Sequence, residues 1–178
     1  HQVARSLVTA FLTPPRRDGE AWFHESIGHS IRIVFLGFLI SSLFGVPLGI
    51  LCGTFPFFER LIEPFIEFFR YFPAPVFATL CVAILGINDA PKIAIIFIGT
   101  FFQQLPMVAN TTRSADGALI EAAQTLGASR RRILMKVIIP SVLPRLYKDM
   151  RILLGWAWTY LIVAEVVGTS TGISWFIN

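Results

Sequence analysis

Four long runs with very few charged residues constrain this chain most. They cover about residues 30–53, 71–88, 93–112 and 150–167. A helix needs about 20 mostly apolar residues to cross roughly 30 Å of hydrocarbon. Helices of a soluble protein normally carry one polar face, whereas these runs are apolar on every face. We therefore predict an all-α membrane protein, with four full spans in a single domain over residues 1–178.

The composition supports this prediction. Hydrophobic residues make up 54% of the chain and charged residues only 15%, against roughly 25% charged in soluble domains. A soluble protein would need a longer chain than 178 residues to bury four such helices. Cys52 and Cys81 both lie within apolar runs, so we expect buried, unpaired thiols and no metal site.

The distribution of basic residues predicts the orientation in the membrane. Because cytoplasmic loops carry an excess of Lys and Arg, the segment between the third and fourth runs is predicted to be cytoplasmic. Alternation of the spans places residues 54–70 on the same side, with residues 1–30 and 89–92 outside. The basic residues are Arg113, Arg130, Arg131, Arg132, Lys136, Arg145, Lys148 and Arg151.

Small residues recur at every fourth position of the first run. One ridge of small side chains on a helix lets another helix backbone approach closely. The ridge consists of Gly37, Ser41, Gly45, Gly49 and Gly53. Prolines are predicted to kink the first three runs, at Pro47, Pro73, Pro75 and Pro106.

The cytoplasmic loop, residues 113–145, has the pattern of two short helices. Asp116 is a suitable N-cap for the first helix, and Gly127 can adopt the left-handed conformation that ends it. Ser129 is predicted to cap the second helix and Pro140 to stop it. The first helix is too short to be stable alone, so it packs either on its own domain or in a cytoplasmic partner, which we favour. Its predicted apolar face comprises Leu119, Ala122, Ala123 and Leu126.

Polar residues within the spans are candidates for a translocation pathway. Polar groups are costly in a bilayer, about 2.5 to 3.5 kcal/mol for a charged carboxylate at its centre, and usually face the bundle interior. Packing between helices is the alternative for the aromatic side chains. The candidates are Gln103, Gln104, Asn110, Trp156, Thr159, Tyr160 and Glu165.

Outside the spans, an amphipathic helix at the inner membrane surface is predicted from Glu59, Glu63 and Glu67, with Arg60 and Arg70 as ion-pair partners.

The loop resembles the signature loop of binding-protein-dependent ABC importer permeases. The family pattern is E-A-A, three residues, Gly, nine residues, and then two apolar residues that flank one position before Pro. Val137 and Ile139 stand where Ile and Leu are usual. The matching residues are Glu121, Ala122, Ala123, Gly127, Val137, Ile139 and Pro140.

The resemblance extends along most of the chain. The segments SIRIVFLGFLISSLFGVPLGILCG, FFRYFPAPVFATLCVAILGINDAPKI and PSVLPRLYKDMRILLGWAWTYLIVAEV look like permeases of the nitrate, taurine, aliphatic sulfonate and bicarbonate group. The resemblance implies the type I ABC importer transmembrane fold. It also implies six helices in the intact polypeptide, of which the first and last of the family are expected to be missing here.

The resemblance implies a permease subunit of an ATP-driven importer in a bacterial-type inner membrane. Two permease chains, expected to be a homodimer, would form the pathway for a small solute delivered by an extracytoplasmic binding protein. Each loop would dock in an ABC ATPase subunit that carries ATP and Mg. This chain itself is expected to hold no cofactor and no catalytic residue, and to bind no nucleic acid. The coupling residues would be Leu119, Glu121, Ala122, Ala123, Leu126 and Gly127.

Three alternatives remain at this point. The same kind of permease could carry a non-anionic small nitrogen compound or a vitamin precursor. A passive channel or a membrane-assembly protein would explain the spans but not a docking loop. A hydrolytic enzyme is suggested only by the G-x-S-x-G pattern at residues 168–172, but this motif needs a preceding strand and a following acid and His.

Overall fold

The structure, a computed structural model, describes residues 23–86 and 88–167, without the side chains of residues 23–26, 75, 166 and 167. The G-x-S-x-G pattern lies outside the described residues. Every regular element in the described ranges is helical, which confirms the predicted all-α class. The elements are α1 (Phe23–Thr54), α2 (Pro56–Arg70), α3 (Ala74–Leu85), α4 (Asp89–Arg113), α5 (Gly117–Thr125), α6 (Arg130–Ile133), a π-helical segment (Leu134–Ile138) and α7 (Ile139–Val167).

The ridge of small residues on α1 packs against α4, as predicted. A Cβ atom placed on Gly49 would lie 2.6 Å from Val108 Cβ, and one on Gly37 would lie 2.7 Å from Ile96 Cγ2. These separations are shorter than any ordinary contact, so only glycine fits. The contacts keep the same sequence offset along both helices, which means that α1 and α4 run parallel.

Helices α2 and α3 follow α4 in the opposite direction. Ile66 of α2 shares a buried cluster with Leu105 and Ala109 of α4, and α3 packs through Ala78 near Ile95. The predicted interfacial helix of residues 54–70 therefore lies alongside half of α4, where it is held by apolar contacts that its charge pattern does not reveal.

Two prolines begin helix α3 instead of kinking it, so that part of the proline prediction was wrong. Pro73 is the N-cap residue of α3, with φ −60° and ψ 130°. Pro75 lies in the first turn, where the missing N–H would have no intrahelical partner anyway. Pro47 and Pro106 lie within the continuous helices α1 and α4.

Helix α7 crosses back along α4 and α1. Leu153, Ala157 and Leu161 are buried along one of its faces. Pro140 lies in its first turn and does not end it, so that prediction was wrong. The chain widens into the π-helical segment just before Pro140, and the N–H of Ile139 bonds to the carbonyl of Leu134. This wider turn lets the helix continue past Pro140, which has no backbone N–H to donate a hydrogen bond.

Two described helices are long and apolar enough to cross a membrane by length and composition alone. They are the Ile27–Thr54 stretch of α1 and the whole of α4, Asp89–Arg113. The second predicted span corresponds to the shorter apolar helix α3, and the fourth lies within α7. The count of four full spans remains a prediction.

Candidate functional site

The candidate site is the loop centred on helix α5. The Asp116 side chain accepts a hydrogen bond from the N–H of Ala118 at 2.9 Å. At the other end, Gly127 has φ +74°, and the N–H of Ala128 bonds to the carbonyl of Ala123 at 3.0 Å. This bond and the left-handed glycine form a Schellman end. Both predicted ends of the helix are confirmed.

The second helix of the loop starts where it was predicted. Ser129 occupies the N-cap position of α6, and its carbonyl accepts from the N–H of Ile133 at 3.0 Å. The Ser129 side chain makes no capping hydrogen bond. The helix is therefore held by its backbone and by the burial of Ile133 and Leu134.

Helix α5 has one face on the protein and one face open. Ile120, Ala123 and Ala128 pack against a buried cluster of Ile133, Leu134 and Ile138, together with Ile50 and Phe55 of the bundle. The open face contains Leu119 and Leu126, which are 50% and 87% exposed. Glu121 and Ala122 are also exposed. The predicted apolar face is thus divided, with Ala123 inside and Leu119, Ala122 and Leu126 outside.

The loop therefore packs in part on its own domain, and docking in a cytoplasmic partner remains a prediction. The inner face of α5 packs on the cluster of Ile133, Leu134 and Ile138, against which Ile50 and Phe55 of the bundle also pack. The outer face leaves the two large apolar side chains of Leu119 and Leu126 exposed in this chain.

Ionic contacts fix the start of the loop. Arg113 forms an ion pair with Glu63 and lies 3.4 Å from Glu59. Glu67 pairs with Arg70 at 3.0 Å, as predicted. For Glu59 and Glu63 the predicted partner Arg60 was wrong, because the end of α4 brings Arg113 next to α2.

Polar contacts also join the two ends of the loop. Thr111 donates to Asp149 across helices α4 and α7. Arg145 donates to the Ser114 hydroxyl at 2.7 Å and to its carbonyl at 3.1 Å. Helices α4 and α7 are therefore connected where the loop leaves and rejoins the bundle.

Among the predicted pathway residues, Gln104 lies in a buried network. Its Oε1 accepts from Ser41 at 2.8 Å, and its Nε2 donates to Ser42 and to the sulfur of Met150, each at 2.9 Å. Gln104 is fully buried. In this structure it connects α1, α4 and α7.

Glu165 is also buried between helices. Its Oε1 accepts from Ser30 Oγ at 2.5 Å. Two further polar contacts lie on the same side of the bundle. His29 Nε2 lies 2.8 Å from Asp89 Oδ2, and the buried Lys92 lies 3.7 Å from Asp89 Oδ1.

The other pathway candidates are more accessible. Gln103 and Tyr160 are half-buried beside a small cavity, and the Tyr160 ring packs on Gly99. Asn110 is exposed and accepts from Arg113 at 3.0 Å. The side chains of Trp156 and Thr159 are exposed on α7. The pathway assignment remains a prediction for all seven residues.

Several partners of these residues were missed by sequence reasoning. Ser30, Ser42 and Met150 are unremarkable residues within apolar or mixed segments, and only the packing of the helices reveals their roles. Arg113 is recognisable in the sequence as the first cation after an uncharged run, but its acidic partners on α2 are revealed only by the packing of the helices.

The described residues offer no candidate metal centre. Within residues 23–86 and 88–167, no three His, Cys, Asp or Glu side chains are arranged to hold a metal ion. Cys52 and Cys81 are buried free thiols in this part of the chain, as expected.

Comparison with protein families gives a match over residues 45–178 to the family described as binding-protein-dependent transport system inner membrane component. The chain is 31% identical over 177 residues to the taurine transport system permease protein of Escherichia coli, covering 99% of this chain and 64% of that protein. It is 33% identical to a putative aliphatic sulfonates transport permease protein of Bacillus subtilis, covering 90% of this chain and 57% of that protein.

A third relative is a probable ABC transporter permease protein of Brucella melitensis, which is 34% identical and matches 82% of this chain. The chain spans only 59% of that protein. Among solved structures, an inward-facing MetNI methionine ABC transporter matches with a TM-score of 0.75 at 22% identity, covering 88% of this chain and 79% of that chain. The helices described above therefore have the fold of an ABC importer transmembrane domain.

Proposed function

The chain belongs to the family of binding-protein-dependent transport system inner membrane components, and on this premise we propose that it is a permease subunit of an ATP-driven importer. In this proposal ATP and Mg bind to a separate ATPase chain, and the permease itself catalyses no reaction. The subunit lies in the inner membrane and forms the pathway together with a second copy of itself.

The observation that carries the proposal is the divided surface of α5. One face packs on the cluster that Ile133 and Ile138 form with the bundle, and the other exposes Leu119 and Leu126. A short helix anchored on one side and apolar on the other is suited to insertion in a groove of a partner protein. Arg145 contacts Ser114 and Asp149 contacts Thr111, which joins the two helices that flank the loop. Movement of the docked loop would therefore reach both helices. This supports docking to an ATPase over a passive channel.

The names of the relatives favour a small oxyanion as the cargo. One relative is named for taurine, one for aliphatic sulfonates and one for bicarbonate. Taurine and the aliphatic sulfonates carry a sulfonate group, and bicarbonate is itself an oxyanion. We propose that a binding protein outside the membrane delivers such a solute to the permease, with a non-anionic small nitrogen compound as the alternative cargo.

Co-purification with the ATPase tests the proposal. Leu126→Ala should reduce ATPase capture at least tenfold without lowering the Tm of the permease, because Leu126 is 87% exposed. Leu143→Ala is the matched control, since Leu143 is an exposed leucine on α7. A wild-type permease that purifies alone and conducts solute without ATP would favour a channel and refute the proposal.

A further inference from the structure

Helices α2 and α3 together make one interrupted traverse of the bundle. Glu63 of α2 meets Arg113 at the end of α4, and the rings of Phe69 and Phe102 stack at 5.3 Å further along. Cys81 of α3 then joins the buried cluster that contains Ile95. The break at residues 71–73 therefore stands opposite the middle of α4, which is long enough to cross a bilayer.

Arg70 is the last residue of α2 and lies at this break. It lines a small cavity beside Gly99, Gln103 and Tyr160. The cavity has a volume of about 10 Å³, which is room for about one water molecule. Helices interrupted at mid-depth are where membrane transporters commonly form their substrate sites.

The charged side chains of α2 do not suit contact with lipid. The Arg70 and Glu67 side chains remain 30% and 42% exposed in the single chain. Charged groups at mid-depth normally face a water-filled cavity or another protein surface, because contact with hydrocarbon is expensive. Glu67 is the last of a row of acidic residues along α2, which comprises Glu59, Glu63 and Glu67, and Arg70 follows it one turn later.

We propose that Arg70 is a substrate-contacting residue of the translocation pathway and binds the oxyanion group of the solute. A guanidinium has five N–H donors in a planar fork that matches an oxyanion. Arg70 Nε holds Glu67 at 3.0 Å, and the Tyr71 ring lies 5.3 Å from the guanidinium carbon. These contacts fix the side chain while further donors remain for a second oxyanion. The Gln103 amide adds a neutral donor beside it.

This inference rests on the proposed permease function and specifies its substrate class. Among the described side chains, Arg70 supplies a cation opposite the middle of α4, where an anion would otherwise meet only Glu67 and neutral groups. The row of acids below it is balanced in part by Arg113. An anion would therefore be held at the break and not further along α2.

Thiol labelling tests whether position 70 faces water. In the assembled transporter, Arg70→Cys should react with a membrane-impermeant charged thiosulfonate at least tenfold faster than Phe65→Cys, whose position is 62% exposed on the apolar face of α2. The wild-type chain serves as the background, because Cys52 and Cys81 are buried. Equal, slow labelling at both positions would overturn the proposal.

Uptake tests the chemistry of the site. In proteoliposomes containing the ATPase and binding protein, Arg70→Gln should reduce ATP-driven uptake of ethanesulfonate at least tenfold, and Arg70→Lys should reduce it less. Arg60→Gln removes a cation from an exposed position of the same helix and should leave uptake unchanged. If Arg70→Gln fails to assemble, the proposal is tested by Arg70→Lys and by labelling. Unchanged uptake in Arg70→Lys together with slow labelling of Arg70→Cys would refute the role of Arg70.

The outcomes separate this inference from the function on which it rests. A wild-type transporter without ATP-driven uptake of any solute contradicts the permease proposal. Wild-type uptake that survives in Arg70→Gln refutes only the role of Arg70. A transporter that carries neutral or cationic solutes and rejects ethanesulfonate refutes the oxyanion assignment.

Discussion

Ser30 Oγ donates a 2.5 Å hydrogen bond to Glu165 Oε1, and both residues are at most 1% exposed. The bond joins α1 to α7 across a separation of 135 residues. A buried carboxylate needs such donors because burial removes it from water. This contact is therefore a structural link between the first and last described helices.

Ser30→Ala removes the hydroxyl that donates to Glu165. Leaving the buried carboxylate without this donor should cost about 1 to 3 kcal/mol of unfolding free energy. The measurement is thermal unfolding of the purified transporter in detergent. Ser141→Ala, at an exposed position of α7 whose hydroxyl donates only within its own turn, to the carbonyl of Ile138, is the control and should change the Tm little. Equal Tm values for the two variants would contradict the structural role of Ser30.

Gly49→Ala tests the close approach of α1 and α4. The new Cβ would lie 2.6 Å from Val108 Cβ, so the helices must separate, at a cost of about 1 to 3 kcal/mol. Gly28→Ala is the control in the same helix, since its Cβ would meet nothing within 4 Å. Thermal unfolding should show a lower Tm for Gly49→Ala and an unchanged or higher Tm for Gly28→Ala.

Gly127→Val tests the left-handed end of α5. Its Cβ would meet nothing within 4 Å, so the effect isolates the strain of a β-branched residue at φ +74°, about 1 to 2 kcal/mol. We expect loss of ATPase capture and of uptake. Gly127→Asn should retain both, because Asn tolerates this conformation. Full capture and uptake in the Val variant would argue against a fixed end to the helix.

Gln104→Leu tests the buried network among three helices. It removes the acceptor of Ser41 and the donor to Ser42, and each interhelical bond contributes about 0.6 kcal/mol on average. A loss of about 1 to 2 kcal/mol is therefore expected in thermal unfolding. The half-buried neighbour Gln103 provides the control variant Gln103→Leu, which should be less destabilised. A larger loss of stability in Gln103→Leu than in Gln104→Leu would contradict a stabilising role of the network.

Local rules were sufficient for the ends of α5 and for the ridge on α1. Asp116 and Gly127 act through their own backbone neighbours, so their roles are legible in the sequence. The four-residue recurrence on α1 also needs no knowledge of the partner helix. These features were predicted correctly because each depends on residues within one or two turns.

Features that depend on distant residues were not predictable in the same way. The inward position of Ala123 depends on where Ile133 and Ile138 pack, and the pairing of Glu63 depends on the end of α4. Pro140 was misjudged because the preceding π-helical segment has no sequence signal comparable to a cap. The position of Arg70 opposite the middle of α4 likewise depends on how α2 packs along α4.

The constant offset between α1 and α4 has a mechanical consequence. The ridge glycines of α1 lie against the side chains of Ile96, Gln104, Val108 and Thr112 of α4, so a small axial slip would bring side chains into collision along the contact. We expect α1 and α4 to move together as one rigid body during a transport cycle. Flexing would then be concentrated at the interruption between α2 and α3 and at the widened turn ahead of Pro140.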